Sequence, residues 1–163
     1  MLMKICHMEA MKEIKSLEEE KDNILTSERI SNKISYKEGE EKVDTDYSYA
    51  ETRKRVAEID AQVRKIRSAL ALANCTVVLE GFDVTIGEGL VLLAQLNAEY
   101  NRLDSMSSER QVYRRITANG VLEYTECLYD VKQVNEDKKA IRRKISALQV
   151  AIDRANLLNL IEV

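Results

Sequence analysis

The sequence predicts a mainly all-α fold: four long helices forming two antiparallel coiled-coil-like hairpins, with a small β-hairpin near 111–128. Three observations lead there. Apolar residues recur at alternating spacings of three and four along most of the chain. The 163 residues include no Pro, whose ring lacks the amide donor and clashes with the preceding helical turn. Charged residues make up 33% and aromatics 5%, the composition of long solvated helices. One helical domain over 1–163 is expected, readable as two repeated halves, 1–80 and 83–162.

The first helix is expected from about Leu2 to Ser31, with Met3, His7, Ala10, Ile14, Leu17, Lys21 and Ile24 as its seam. His7 and Lys21 are its polar members. A polar stretch from Ser35 to Ser48, with Gly39, Asp44 and Asp46, predicts a turn or hairpin. Ser48 and Glu51 have the spacing of a capping box, in which each side chain satisfies a free N–H at a helix start. Val56, Ile59, Val63, Ile66, Leu70 and Ala73 then make a regular seam, and the helix should end near Asn74, before the extended-favouring Cys75–Val78.

Gly81, Phe82 and Asp83 break the chain. Thr85 and Glu88 form a second box, opening a helix whose face is Ile86, Leu90, Leu93, Leu96, Tyr100 and Leu103. Gly87 and Gly89 weaken its first turn, by roughly 1 kcal/mol each relative to Ala, and suggest close approach of another backbone. From Ser107 to Asp130 the period changes to two. Asn119-Gly120 predicts a tight turn between Val112–Thr117 and Leu122–Leu128. Asp130 and Gln133 form a third box. The fourth seam is Val134, Lys138, Ile141, Ile145, Leu148, Ile152 and Ala155, ending near Asn156 and followed by an apolar tail to Val163.

A shift of 82 residues aligns the halves without a gap: Ser48 and Glu51 fall on Asp130 and Gln133, and Ile59, Val63, Ile66 and Leu70 on Ile141, Ile145, Leu148 and Ile152. Any two seamed helices align at some shift, but coincident caps and the shared terminal Asn74 and Asn156 point to duplication. Each half alone would be too narrow to bury its own stripe.

Little in the chain resembles a reaction centre. His7 is the only histidine, and a metal would need partners at close spacing. Gly87 and Gly89 lack the strand, third Gly and GK[ST] of a phosphate-binding loop. The carboxylates alternate with Lys and Arg, as on solvated helix faces. Neither a catalytic residue nor a cofactor is assigned. Arg114-Arg115 and Arg142-Arg143-Lys144 would suit phosphates, but Glu123, Glu126, Glu136 and Asp137 accompany them, and the net charge is −3. No nucleic-acid partner is expected. The apolar stretches, such as Gly89–Leu96, fall short of the roughly 18–20 residues that span a bilayer, so no membrane partner is expected either. Cys6, Cys75 and Cys127 form no CxxC pair, which fits reduced thiols in a cytoplasm.

Tyr outnumbers Phe seven to one. Tyr47, Tyr49, Tyr113, Tyr124 and Tyr129 lie in the connectors and are the candidate interface; packing against helix ends is the competing role.

Two stretches carry a family likeness: NCTVVLEGFDVTIGEGLVLLAQLNAEYNRLD, from Asn74 to Asp104, and LEYTECLYDVKQVNEDKKAIRRKISALQVAIDRAN, from Leu122 to Asn156. With Thr85-Glu88 and Tyr124-Tyr129-Asp130 in place, the chain resembles a bacterial family of small helical proteins, some labelled septicolysin. The resemblance implies a helical coiled-coil fold with small β elements and brings no catalytic residues. The label implies a membrane-acting, cytolytic role. The leading expectation is a non-enzymatic scaffold or protein-interaction module that self-associates through its helices and binds a further protein. The alternatives are a septicolysin-like membrane-acting protein, and an enzyme or metal protein with a site built across subunits.

Overall fold

The computed structural model describes residues 4–43 and 45–162. Leu2 and Met3 of the expected first helix, Asp44 of the polar stretch and Val163 of the tail lie outside the described residues. The fold is mainly helical, with small antiparallel strand pairs. In chain order it runs β1 (Lys4–Cys6), α1 (His7–Ser31), α2 (Tyr49–Thr76), α3 (Ile86–Ser107), β2 (Val112–Ile116), β3 (Leu122–Glu126), α4 (Val131–Leu158) and β4 (Leu160–Glu162). Two compact units result: Met1–Asn74 with Asn156–Val163, and Cys75–Ala155. The divisions fall near the ends of α2 and α4.

In the first unit α1 starts at His7 rather than Leu2, because Lys4, Ile5 and Cys6 are drawn into an antiparallel ladder with Glu162, Ile161 and Leu160. Cys6 becomes the residue before the helix, and Glu9 Oε2 accepts from its N–H at 2.8 Å. The core joins Ile5, Ala10, Ile14, Leu17, Ile59, Ile66, Leu70 and Ile161, with Ile24, Val63 and Ala73 half-buried at its margin. Ile59 is fully enclosed, which is worth about 1.5–3 kcal/mol for such a side chain. Lys21, the polar seam member, meets Asp60 of α2 at 2.7 Å. Arg67 meets Glu18 at 2.7 Å and Arg55 meets Glu20 at 2.6 Å. Half-exposed pairs of this kind add about 0–1 kcal/mol each, so the apolar seam carries the stability. Between α1 and α2 a turn at Lys37–Glu40 places Gly39 at φ 85°, and no strand forms among the described residues there.

The second unit opens with a tight link. The helix continues through Cys75 to Thr76, past the Asn74 limit that the β-branched run suggests, because propensity differences of a few tenths of a kcal/mol per residue do not by themselves end a helix. Leu79 N then donates to Val84 O at 2.8 Å and Ile86 N to Val77 O at 2.9 Å, around a turn with Gly81 at φ 82° and Asp83 at φ 56°. Its core is Leu79, Ile86, Leu96, Leu148, Ile152 and Ala155, with Leu93, Ile141 and Ile145 partly buried against it. The α3 face departs from expectation at one residue. Leu90 is exposed and Gly89 is buried in its place. The approaching group is a side chain rather than a backbone: Leu79 rests on Gly89, where an added Cβ would overlap its Cδ1 and stand 3.7 Å from Leu148 Cδ1. Lys138, the polar member of the α4 seam, is satisfied by Asp104 Oδ1 at 3.1 Å and Ser107 Oγ at 2.7 Å. α4 ends at Leu158, beyond Asn156, and the apolar tail supplies β4.

Gly89→Ala sets two effects against each other. Helix propensity favours Ala by about 1 kcal/mol, whereas overpacking a closed core costs about 1–3 kcal/mol. The added Cβ would overlap Leu79 Cδ1, and Leu79 is itself 1% exposed, so the variant should melt at a lower temperature than the parent. A higher melting temperature in thermal denaturation would show that the glycine is not closely covered.

Candidate functional site

The β2–β3 hairpin is where the sequence places much of its Tyr, and it is also where the structure leaves apolar groups in water. Val112 pairs with Glu126, Tyr113 with Thr125, Arg114 with Tyr124, Arg115 with Glu123 and Ile116 with Leu122. All ten residues are exposed, and Ile116 and Tyr124 are so by 73% and 61%. β3 stops at Glu126, short of the expected Leu128, whose side chain is wholly exposed.

The turn differs from the two-residue form that Asn119-Gly120 suggests. Gly120 N donates to Thr117 O at 2.9 Å and Thr117 N to Val121 O at 2.8 Å, and Gly120 alone has positive φ, at 75°. This is a three-residue loop with Gly120 in the left-handed position after a type I turn. Thr117 Oγ1 accepts from Val121 N at 3.2 Å and reinforces it.

The stem is held by a residue that the sequence did not single out. Gln111 Nε2 donates to Cys127 O at 3.0 Å and Tyr129 O at 2.9 Å, while its Oε1 accepts from Val131 N at 3.0 Å. One side chain thereby ties the hairpin base to the start of α4. Periodicity carries no signal for such a residue, because its role is to match three backbone groups. Tyr129 donates to Met106 O at 3.1 Å, linking the stem to the end of α3. Its phenol is held above the usual tyrosine range, first by a hydrogen bond with Cys127 and then by burial.

The five candidate tyrosines do not form one patch. Tyr113 and Tyr124 point to opposite faces of the hairpin, and Tyr129 sits at its base. Tyr47 and Tyr49 belong to the other unit, where Tyr49 is exposed at the start of α2 and Tyr47 donates to Glu28 Oε1 at 2.6 Å. The capping residues occupy helix starts. Thr85 Oγ1 accepts from Glu88 N at 3.3 Å, and Glu88 Oε2 accepts from Thr85 N at 2.8 Å. Ser48 Oγ accepts from Glu51 N at 3.4 Å. Asp130 Oδ1 accepts from Lys132 N at 2.8 Å and Gln133 N at 3.4 Å, while Gln133 turns its amide N–H to Asp137.

A groove of about 760 Å³ in the first unit is lined in part by Glu20, Ile24, Glu28, Asp46, Tyr47 and Glu51. Its lining mixes these carboxylates with hydroxyl and amide groups and Lys33, and Glu28 is already engaged by Tyr47. Among the described residues no three His, Cys, Asp or Glu side chains converge on a point where a metal would sit. His7 is half-buried as the first residue of α1. Arg115 is paired with Glu123 at 2.8 Å, and Arg142 and Arg143 lie with Lys139 on an open surface of α4.

The hydrogen bond to Glu28 pushes the Tyr47 phenol from 10.0 up to about 12. The folded chain holds this proton more tightly than the unfolded chain, so the associated stability is complete below pH 10 and is lost as the pH rises towards about 12. In an absorbance titration Tyr47 should ionise late, and Glu28→Ala should remove one tyrosine from the late component. An unchanged titration curve would contradict the contact.

Gly120→Val should strain the turn, because a β-branched residue strongly disfavours positive φ, and should cost about 1–3 kcal/mol of local stability. Faster amide exchange within β2 and β3 would report it; unchanged exchange would place the turn elsewhere.

Compared with protein-family models, curated proteins and solved structures, the chain gives no match.

Proposed function

We propose that the chain is a non-enzymatic helical interaction module that assembles with copies of itself and presents a surface to a further protein. The observation that carries this reading is the hairpin with all of its strand residues exposed. A two-stranded ribbon is at best marginally stable in water, and a third layer against its apolar side chains is the usual remedy. Here Val112, Ile116, Leu122, Tyr124 and Leu128 have more than two-fifths of their surface open to solvent. The resemblance to small helical bacterial proteins belongs to the same proposal, as does a cytoplasmic setting, which three unpaired cysteines support.

The finer architecture in this reading is two antiparallel coiled-coil-like hairpins descended from one. Contacts from Glu18 to Arg67, Lys21 to Asp60 and Glu28 to Tyr47 climb α1 while descending α2 to the residues just before its start, which supports the antiparallel arrangement. Duplication is supported by α2 and α4, each 28 residues long and beginning 82 positions apart. It is supported again by the pairs Val78–Thr85 and Leu160–Cys6, in which the second residue after a long helix meets the cap of a shorter one. In the first helices the matching register is 79 rather than 82, since Cys6 and Glu9 correspond to Thr85 and Glu88.

Sedimentation velocity over a wide concentration range is the test. The weight-average mass should rise from the 18.6 kDa chain towards a multiple of it. A single 18.6 kDa species throughout the micromolar range would remove self-association from the proposal.

A further inference from the structure

Side chains alternate along both strands of the hairpin, so its two faces differ. One carries Tyr113, Arg115, Glu123 and Thr125, and its charges are closed by the Arg115–Glu123 pair at 2.8 Å. The other carries three rows: Val112 with Glu126, Arg114 with Tyr124, and Ile116 with Leu122. Among the described residues neither Arg114 nor Glu126 makes an ion pair. This second face is therefore apolar at one end and holds two unmatched charges of opposite sign towards the other.

We propose that this face is the dimer site, with the hairpins of two copies of the chain packed face to face about a two-fold axis running along the strands. The inference rests on the self-association reading and names its surface. Charge complementarity selects both the occupant and the axis. A two-fold rotation along the strands lays each row on the same row with its two strands exchanged. Ile116 of one copy then covers Leu122 of the second, and the Arg114 guanidinium lies over the second copy's Tyr124 ring, a favourable cation–π placement. Glu126 of the second copy stands one row further on, about 7 Å along the strand, across a gap of about 10 Å that an Arg and a Glu together bridge. An axis across the strands would instead set Arg114 against Arg114. Because the contact is isologous, every favourable pair occurs twice. The face is small beside a standard interface of about 1,600 Å², so the dimer belongs in the micromolar range.

The test uses the full chain and two charge reversals, R114E and E126R, followed by sedimentation. The parent should dimerise. Each variant alone should dimerise about 10-fold or more weakly, because like charges now face each other twice. An equimolar mixture of the two should regain dimerisation, since each supplies the charge that the other lacks. Unchanged helical circular dichroism would confirm that both variants are folded, and Ile116→Ser should weaken the dimer without touching any charge. If the parent associates but the variants do so equally well, or their mixture gains nothing, the hairpin face is not the site and the broader reading survives. If the parent stays monomeric, the face and the self-association reading fall together.

Discussion

In the second unit a leucine lies on a glycine, and the packing of that unit is organised about the contact. Leu79 follows α2, turns back through its bonds to Val84, and brings its side chain down where α3 has no Cβ. Leu148 of α4 closes the same spot. A pair of helices offers a seam but little depth, and a plug from the adjoining strand gives the seam an end. The first unit's core likewise includes a small residue in the first turn of α1, Ala10, and a branched residue after α4, Ile161. A small residue near a helix start and a branched residue after a long helix are the shared device.

That device explains what was legible in the sequence and what was not. The seams at Ile59, Ile66, Leu148 and Ile152 were legible because burial repeats with the helical period and leaves a pattern in residue order. The Thr85–Glu88 cap was legible because its chemistry is local. The β1–β4 ladder was not, since three-residue strands carry no period and their partners lie at opposite ends of the chain. Cys6 reads as part of a helix in the sequence because Cys is not a favoured cap, although the Glu9 carboxylate serves its N–H well. The periodic pattern points to Leu90 as a core residue because it cannot reveal that Gly89, one residue away, is the covered position. At the hairpin, Asn119-Gly120 marked the right place, but the dipeptide alone does not distinguish a two-residue loop from a bulged three-residue one.

The polar members of the seams follow one logic. Lys21 and Lys138 interrupt apolar stripes, and each meets a carboxylate of another helix in its own unit, Asp60 and Asp104. Such pairs contribute little energy while half exposed, but an unmatched ammonium in a seam would be costly, so they penalise slipped alignments. Among the described residues the apolar face of the hairpin has no comparable closure. Its anchorage through Gln111 and Tyr129 is firm, and its far end is bare, an arrangement suited to presenting a surface rather than to sealing a core.

The ladder between Lys4–Cys6 and Leu160–Glu162 also makes the first unit discontinuous in sequence, since all of Cys75–Ala155 lies between the segments it joins. Ile5 and Ile161 share one core although they are far apart along the chain. Closing a contact across so long a stretch is slow and entropically opposed compared with zipping neighbouring helices. During refolding from denaturant the α1–α2 seam therefore forms ahead of the ladder, and Ile5 stays bare until the distant strand arrives.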